Sequence, residues 1–342
     1  MPGAAQGAAP FNAGTGSLPG ARESLVSMSL DDSIVYSNGR FSRYDEARIG
    51  LLTHALHYGT GCFEGVRGYW NASEHELWLL HLREHYERIA KSAHILMMKI
   101  PHTTDELIEI TTELCARNKF EQDIYIRPFV YKSGEEIGVR LAGVADNFAI
   151  VPVPYHAYYG NAAGLKACVS PWRRIDDTVA PARAKVTGAY INSALAKTEA
   201  QLGGFDEAIL LSNDGHVAEG SADNIFLVRD GVLYTPDASQ NILEGITRKS
   251  VLALAKNDFG IPIVERAIDR SELYCADEVF VTGTAAGLMP VISIDYREVG
   301  DGKTGPVTRT LTDAYNRAVS GAESKYRAWL TPTYATALSR KP

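Results

Sequence analysis

From Ile34 onward apolar residues follow two rhythms along the chain, a period of two over short runs and a period near 3.6 over longer ones. Leu82, Tyr86, Ile89, Ala90 and Ala93 recur at helical spacing, which predicts an amphipathic helix with Arg88 on its outward side. Thr103 followed by Glu106 is a capping box that opens a second helix bearing Leu107, Ile110, Leu114 and Cys115, so Cys115 is expected in the core. Alternation over residues 124–130 predicts a strand in which Pro128 suggests an edge or a bulge, and residues 148–154 predict another strand ending in prolines.

A small-residue and aromatic stretch over 155–162 reads as a connection between two domains. Beyond it come a strand around 165–169, a polar loop, and a helix whose buried face is expected to be Ile191, Ala194, Leu195, Thr198 and Leu202, stopped by Gly203-Gly204. Two hairpins follow, one turning at Asn213-Asp214-Gly215 and one at Asp230-Gly231 between alternating apolar runs. Short strands alternating with helices, without any repeat of 20 to 50 residues, predict a mixed α/β enzyme.

Composition narrows the function classes. Of 342 residues 45% are hydrophobic and 22% charged, the balance of a globular chain of about two domains. No uncharged apolar run reaches the ~18 residues of a membrane span, so no membrane role is expected. The 34 basic and 41 acidic residues give a net charge of −7 without a basic block, which argues against nucleic acid as the main partner. Cys62, Cys115, Cys168 and Cys275 lie far apart, with neither zinc-site spacing nor a disulfide framework, and predict a reducing, cytoplasmic setting. Residues 1–27, rich in Gly, Ala, Pro and Ser, read as a flexible tail.

Several segments could carry chemistry. Glu244-Gly-Ile-Thr-Arg248 enters a helix carrying Val251, Leu254, Ala255 and Phe259, so its first amides form an anion site, although Thr247 alone reads as an ordinary N-cap. Val281 to Gly287 is a run of small residues after a strand, where a ligand can approach backbone amides closely. Lys185, flanked by small residues before a helix, could enter a pocket; read locally, it is a surface lysine, and Glu219 is a hairpin carboxylate.

Together, His57-Tyr-Gly-Thr-Gly-Cys-Phe-Glu-Gly65, Tyr125-Ile-Arg-Pro128, Ala184-Lys185, Glu219-Gly-Ser-Ala-Asp-Asn224, Glu244-Gly-Ile-Thr-Arg248 and Thr282-Gly-Thr-Ala-Ala286 resemble the branched-chain-amino-acid aminotransferases, in order and with the family's spacing. These are class IV, fold-type IV enzymes that use pyridoxal 5′-phosphate. The resemblance implies a small N-terminal α/β domain over 28–154, an interdomain loop over 155–162 and a larger C-terminal pseudobarrel domain over 163–342 that binds the cofactor. It implies ping-pong transamination of leucine, isoleucine or valine with 2-oxoglutarate through an internal aldimine on Lys185, whose pKa a desolvated, electropositive pocket would depress.

By the same resemblance Glu219 partners the pyridine nitrogen and Tyr190 the ring hydroxyl, while Arg88, Ile246, Thr247 and Thr284 hold the phosphate. Tyr125 and the amides of Thr284 and Ala285 match the α-carboxylate site, and Arg127 matches the arginine that receives the distal carboxylate. Phe63, Tyr58, Ile137, Val139, Tyr155 and Tyr158 form the apolar wall, with Tyr58, Ile137 and Val139 supplied by a neighbouring subunit, so that a homodimer is the smallest active unit. No metal is implied. Tyr155 stands where many members carry tryptophan, and the loop 132–140 carries two glutamates and Arg140 where a more glycine-rich loop is common. These departures leave two relatives of the same fold open, a D-amino-acid or (R)-amine transaminase and an aminodeoxychorismate lyase.

Overall fold

In the computed structural model the described residues are 30–155, 159 and 163–335. The tail 1–27, Tyr158 and most of the expected interdomain loop lie outside them.

Two sheets organise these residues. The first contains β1 (Ile34–Ser37), β2 (Arg40–Arg43), β3 (Gly61–Phe63), β4 (Val66–Asn71), β5 (Glu76–Leu80), β6 (Ile124–Lys132) and β7 (Asp146–Pro154), in the order β5-β4-β6-β7-β1-β2, with β3 paired to β6. α1 (His54–Tyr58), α2 (Leu82–Ile95) and α3 (Thr104–Asn118) belong to this half, and Leu82, Tyr86, Ile89, Leu107, Leu114 and Cys115 join its core. The capping box at Thr103 forms as expected, with Glu106 and Thr103 each accepting from the other's backbone amide.

The second sheet contains β8 (Leu165–Arg173), β9 (Glu207–Leu211), β10 (Val217–Gly220), β11 (Asn224–Arg229), β12 (Val232–Thr235), β13 (Ile263–Glu265), β14 (Glu278–Gly283), β15 (Gly287–Ile294) and β16 (Arg297–Glu298), in the order β10-β9-β8-β15-β14-β11-β12-β13, with β16 beside β15. It is mixed: β8 runs parallel to β9 and β15, and the hairpins are antiparallel. α4 (Tyr190–Leu202), α5 (Ile246–Phe259) and α6 (Pro306–Val319) flank it, giving the mixed α/β architecture read from the pattern. Both hairpins turn where expected, and Asp230 and Gly231 take the positive φ angles of a tight two-residue turn.

Four sequence expectations are corrected. Pro128 lies in a central strand, not at an edge: its carbonyl accepts from the Glu64 amide, so its ring nitrogen faces the gap where β3 hands over to β4 and no ladder donor is required. Ala90 is exposed, whereas Arg88 points inward. The buried face of α4 is Asn192, Ser193, Ala196 and Ala200, small or polar residues that pack on β8 and β9, while Ile191, Leu195 and Leu202 face outward. Finally, the second half does not keep all of 163–342. A last strand, β17 (Leu330–Pro332), returns to pair with β5, and the buried Glu76 carboxylate fixes this return by accepting from the amides of Thr333, Tyr334 and Ala335.

Candidate active site

The site lies between the two halves and is built on backbone contacts that cross from one to the other. Lys185 precedes α4; its carbonyl accepts from the Phe63 amide on β3, and Val186 makes a bridge to Cys62. The next contact needs two glycines. Gly59 has φ +62°, and a Cβ on it would lie 2.6 Å from the Cα of Gly188, so α1 and the start of α4 can meet only without side chains there. This close approach holds the lysine against the first sheet.

The half-buried Lys185 ammonium donates to the Tyr190 hydroxyl at 2.6 Å. Burial alone would lower its pKa, but Tyr190 and Glu64 raise it more than Arg88 lowers it, and the net direction is up. The expected depression is therefore not found in the protein alone. The largest upward influence is Tyr190, whose hydroxyl oxygen accepts from the ammonium, and Glu64 adds to it while also pairing with Arg88, so the surroundings are less electropositive than the motifs suggested.

Glu64 is wholly buried. Its carboxylate accepts from Arg88 Nε at 2.6 Å and Nη2 at 2.8 Å and lies 2.7 Å from His85 Nδ1. Burial raises its pKa, yet Arg88 and His85 hold it well below the ordinary carboxylate range. Arg88 Nη1 donates to the Glu244 carbonyl, which draws the guanidinium to the N-terminus of α5. The N-cap there is Gly245, not Thr247, and no side chain caps it. A Cβ on Gly245 would strike Asn224 Oδ1 at 2.0 Å, so glycine is required for the helix to begin this close to β11.

Glu219 reaches the cavity from β10, where the register shifts between Val217 and Glu219. Oε2 accepts from Asn224 Nδ2 and from the Leu243 amide, both at 3.0 Å, and Oε1 lies 2.9 Å from Arg174 Nε. Burial pushes its pKa up, against the pull of Arg174. Its carboxylate has room for one more donor, and Glu219 lines the cavity that Lys185 and Tyr190 also line.

Arg88, Lys185, Tyr190, Glu219, Ile246, Thr247 and Thr284 thus line one cavity. It continues into a second chamber walled by Phe63, Tyr125, Arg127, Tyr155 and Ala285. Arg127 lies over the Phe63 ring and donates to Tyr125 Oη at 3.0 Å, and Tyr155 Oη donates to the Ala285 carbonyl at 2.6 Å. Tyr58, Ile137 and Val139 line neither chamber. They lie on α1 and on the loop 133–145, where the Gly138 amide donates to Tyr58 Oη at 3.1 Å and both aliphatic side chains are exposed.

Sequence reasoning assigned no role to His85, Arg174 or Glu64. Glu64 stands within the quoted motif ending at Gly65, which was the one available signal; Arg174 sits in a polar loop that carried none.

Comparisons with known proteins bear on family and fold. Residues 61–294 match the family described as "Amino-transferase class IV". A probable branched-chain-amino-acid aminotransferase of Aquifex aeolicus is 45% identical over 310 residues, 91% of this chain and 99% of the relative. The branched-chain-amino-acid aminotransferase of Pseudomonas aeruginosa is 41% identical over 309 residues, covering 90% and 99%. Among solved structures, the branched-chain aminotransferase of Thermoproteus uzoniensis with norvaline superposes with a TM-score of 0.85 at 43% identity, covering 88% of this chain and 99% of that one. The Thermobaculum terrenum enzyme in its PLP form gives 0.85 at 38%, covering 89% and 99%. With the fold, the cavity and the motifs in agreement, the chain belongs to the class IV aminotransferases.

Proposed function

We propose that the protein transfers amino groups between branched-chain L-amino acids and 2-oxoglutarate with pyridoxal 5′-phosphate as cofactor. The observation that carries this reading is the Lys185 amine, half-buried in a cavity that it shares with a carboxylate, Glu219, and an anion cradle at the start of α5.

The residues present fit the phosphorylated cofactor. Thr282 Oγ1 is buried against the cavity without a hydrogen-bond partner among the described residues, a hydroxyl waiting for an acceptor. A Cβ on Gly283 would meet Asp223 Oδ1 at 2.0 Å, so the wall beside it is bare backbone. Of the five N–H groups of Arg88, those turned to the cavity remain for a phosphate, beside Ile246, Thr247 and Thr284. When bound, the cofactor supplies an electron sink for the pair left on the substrate's α-carbon.

The chain's own residues do the rest. Lys185 Nζ takes the proton from the α-carbon and returns it, and Tyr190 orients that amine. Glu219 keeps a proton on the pyridine nitrogen, and Arg174 keeps Glu219 charged. Tyr125 and the Thr284-Ala285 turn bind the α-carboxylate. In the outer chamber Phe63 and Tyr155 face an aliphatic chain, and Arg127, exposed over Phe63, can swing to a distal carboxylate without leaving a buried charge unpaired when leucine is bound. We infer a homodimer from the same reading, because Ile137 and Val139 reach away from their own cavity.

The test is the visible spectrum of cofactor-loaded protein on addition of L-leucine without an oxo acid. Conversion of bound cofactor to its amine form is expected with L-leucine and not with D-alanine, and Lys185→Ala abolishes it. A spectrum that responds only to D-alanine or to (R)-1-phenylethylamine refutes the branched-chain assignment.

A further inference from the structure

Four polar side chains lie in a row at the edge of the reaction cavity. Asp223, on the turn between β10 and β11, lines both chambers. Its Oδ2 is 2.8 Å from Tyr159 Oη, which is 2.6 Å from Glu207 Oε2 on β9, and that oxygen is 2.5 Å from Lys197 Nζ on α4. Counting protons fixes the charges. Tyr159 has one hydroxyl proton and two carboxyl neighbours, so one of the two carboxyls must bring a proton of its own. Glu207 does not: Lys197 contacts Oε2, and the Ala208 and Ser221 amides donate to Oε1, both at 2.9 Å, a set of donors that suits only an ionised carboxylate. Among the described residues no cation pairs directly with Asp223; Lys197 and Lys185 act on it only at longer range.

We propose that Asp223 is held as a neutral acid in the working enzyme, donating to Tyr159 as Tyr159 donates to Glu207, and that this neutrality lets the cavity accept carboxylate substrates. The placement makes it a specificity-determining residue. The Asp223 carboxyl packs on Gly283, directly before Thr284 and Ala285, so an ionised Asp223 would set a negative charge beside the turn that receives the substrate's carboxylate. This step rests on the proposed docking of that carboxylate.

The charged and titratable groups that face Asp223 are Glu207 from β9, Lys197 from α4, Tyr159 and Tyr155 from the segment after β7, and Lys185 from the loop before α4. Burial, and then the Glu207 charge, push Asp223 up to about 7, against the Tyr159 hydrogen bond and the more distant lysines. Below that pH the acid is neutral; above it, it ionises and binding of an anion weakens.

The experiment compares wild type and Asp223→Asn holoenzyme, whose amide keeps the donor to Tyr159. Calorimetry with 4-methylvalerate, an unreactive monocarboxylate, reads the affinity across pH. In wild type the affinity is expected to be flat below about pH 7 and to fall by up to about tenfold per pH unit above it, the slope of a single proton. Asp223→Asn is expected to match the low-pH affinity and to stay flat. A variant that follows the wild-type profile, or that binds more than about tenfold worse even at low pH, overturns the proposal. Infrared difference spectra of the two proteins provide the independent readout: the carbonyl band of a protonated carboxylic acid, present in wild type near pH ~6 and missing in the variant, is expected. Its absence refutes the neutral acid. A present band without any binding of 4-methylvalerate instead refutes the docking of the carboxylate, and with it the effect on specificity.

Discussion

Glu64→Gln separates the work of the buried ion pair from that of the cofactor. In the wild type the hydrogen-bond partners of Glu64 among the described residues are all donors: two nitrogens of Arg88, His85 Nδ1 and, at 3.4 Å, the Gly65 amide. Glutamine supplies one acceptor oxygen and one donor amide, so the amide must oppose either the guanidinium or the imidazole. The Arg88 charge, only 14% exposed, then loses its paired carboxylate and keeps only the more distant Glu219. Removing one partner from a buried pair costs about 3–5 kcal/mol, and this is the loss expected in urea unfolding of the cofactor-free variant.

The cofactor's phosphate restores a counter-charge, so saturating cofactor should raise the melting temperature of the variant by more than it raises that of wild type. The pH dependence has a defined sign. The folded pKa of Glu64 is depressed, so its contribution is complete above the unfolded carboxylate value and is lost as pH falls toward the folded one; the gap between wild type and variant narrows on acidification. The double replacement Glu64→Leu with Arg88→Met should recover most of the stability while abolishing tight cofactor binding. A loss below about 1 kcal/mol for Glu64→Gln in the cofactor-free protein would refute the reasoning, because it would mean that Arg88 escapes to solvent.

Two further substitutions probe the chambers separately. Arg127→Met should lower kcat/KM for 2-oxoglutarate by about 10- to 100-fold, the worth of a charge-assisted hydrogen bond, with leucine affected only a few-fold; equal losses for both substrates in steady-state kinetics would remove Arg127 from the distal carboxylate site. Thr282→Val deletes a buried hydroxyl that has no partner among the described residues, so the cofactor-free protein should be as stable as wild type or more so, while its affinity for the cofactor drops by about 0.5–1.5 kcal/mol, measured by fluorescence titration.

How much of this was legible in the sequence differs by element. The capping box at Thr103 and the Asp230-Gly231 turn are local devices, complete within a few residues, and both formed where the sequence put them. The α4 face was misjudged because periodicity reports where apolar side chains fall and not which side the sheet occupies: Asn192, Ser193, Ala196 and Ala200 are small enough for close packing on β8 and β9, which leaves Ile191 and Leu202 outside at 63% and 81% exposure. Pro128 was misread for a related reason, since whether a strand is central depends on partners distant in sequence. The family resemblance singles out Lys185, Glu219 and Arg88 as candidates, and the structure brings them to one cavity. It did not reveal that Glu64 neutralises Arg88 or that Arg174 faces Glu219, because each pairing joins residues whose neighbourhood is created only by the fold.

The loop 133–145 carries the last prediction, which concerns whose cavity it serves. Its base is fixed by Lys132, a buried ammonium that donates to the Met97 and Val144 carbonyls at 2.9 and 3.3 Å and pairs with Asp146 at 2.8 Å. Along its length it is tied to α1, through the His54 amide on the Gly134 carbonyl and the Gly138 amide on Tyr58. So firm an anchorage holds Ile137 and Val139 at 84% and 78% exposure, an arrangement that costs solvation of apolar surface unless another surface covers them. If they close the cavity of a second subunit, Ile137→Ser with Val139→Ser should lower kcat/KM for leucine about tenfold or more. Its cofactor spectrum should be unchanged. The decisive assay mixes this variant with Lys185→Ala during refolding. Each parent is impaired, but a hybrid dimer joins the intact lysine of one chain to the intact loop of the other and should regain one normal site. Side chains that served their own subunit would give no gain on mixing, and that result would refute the shared site.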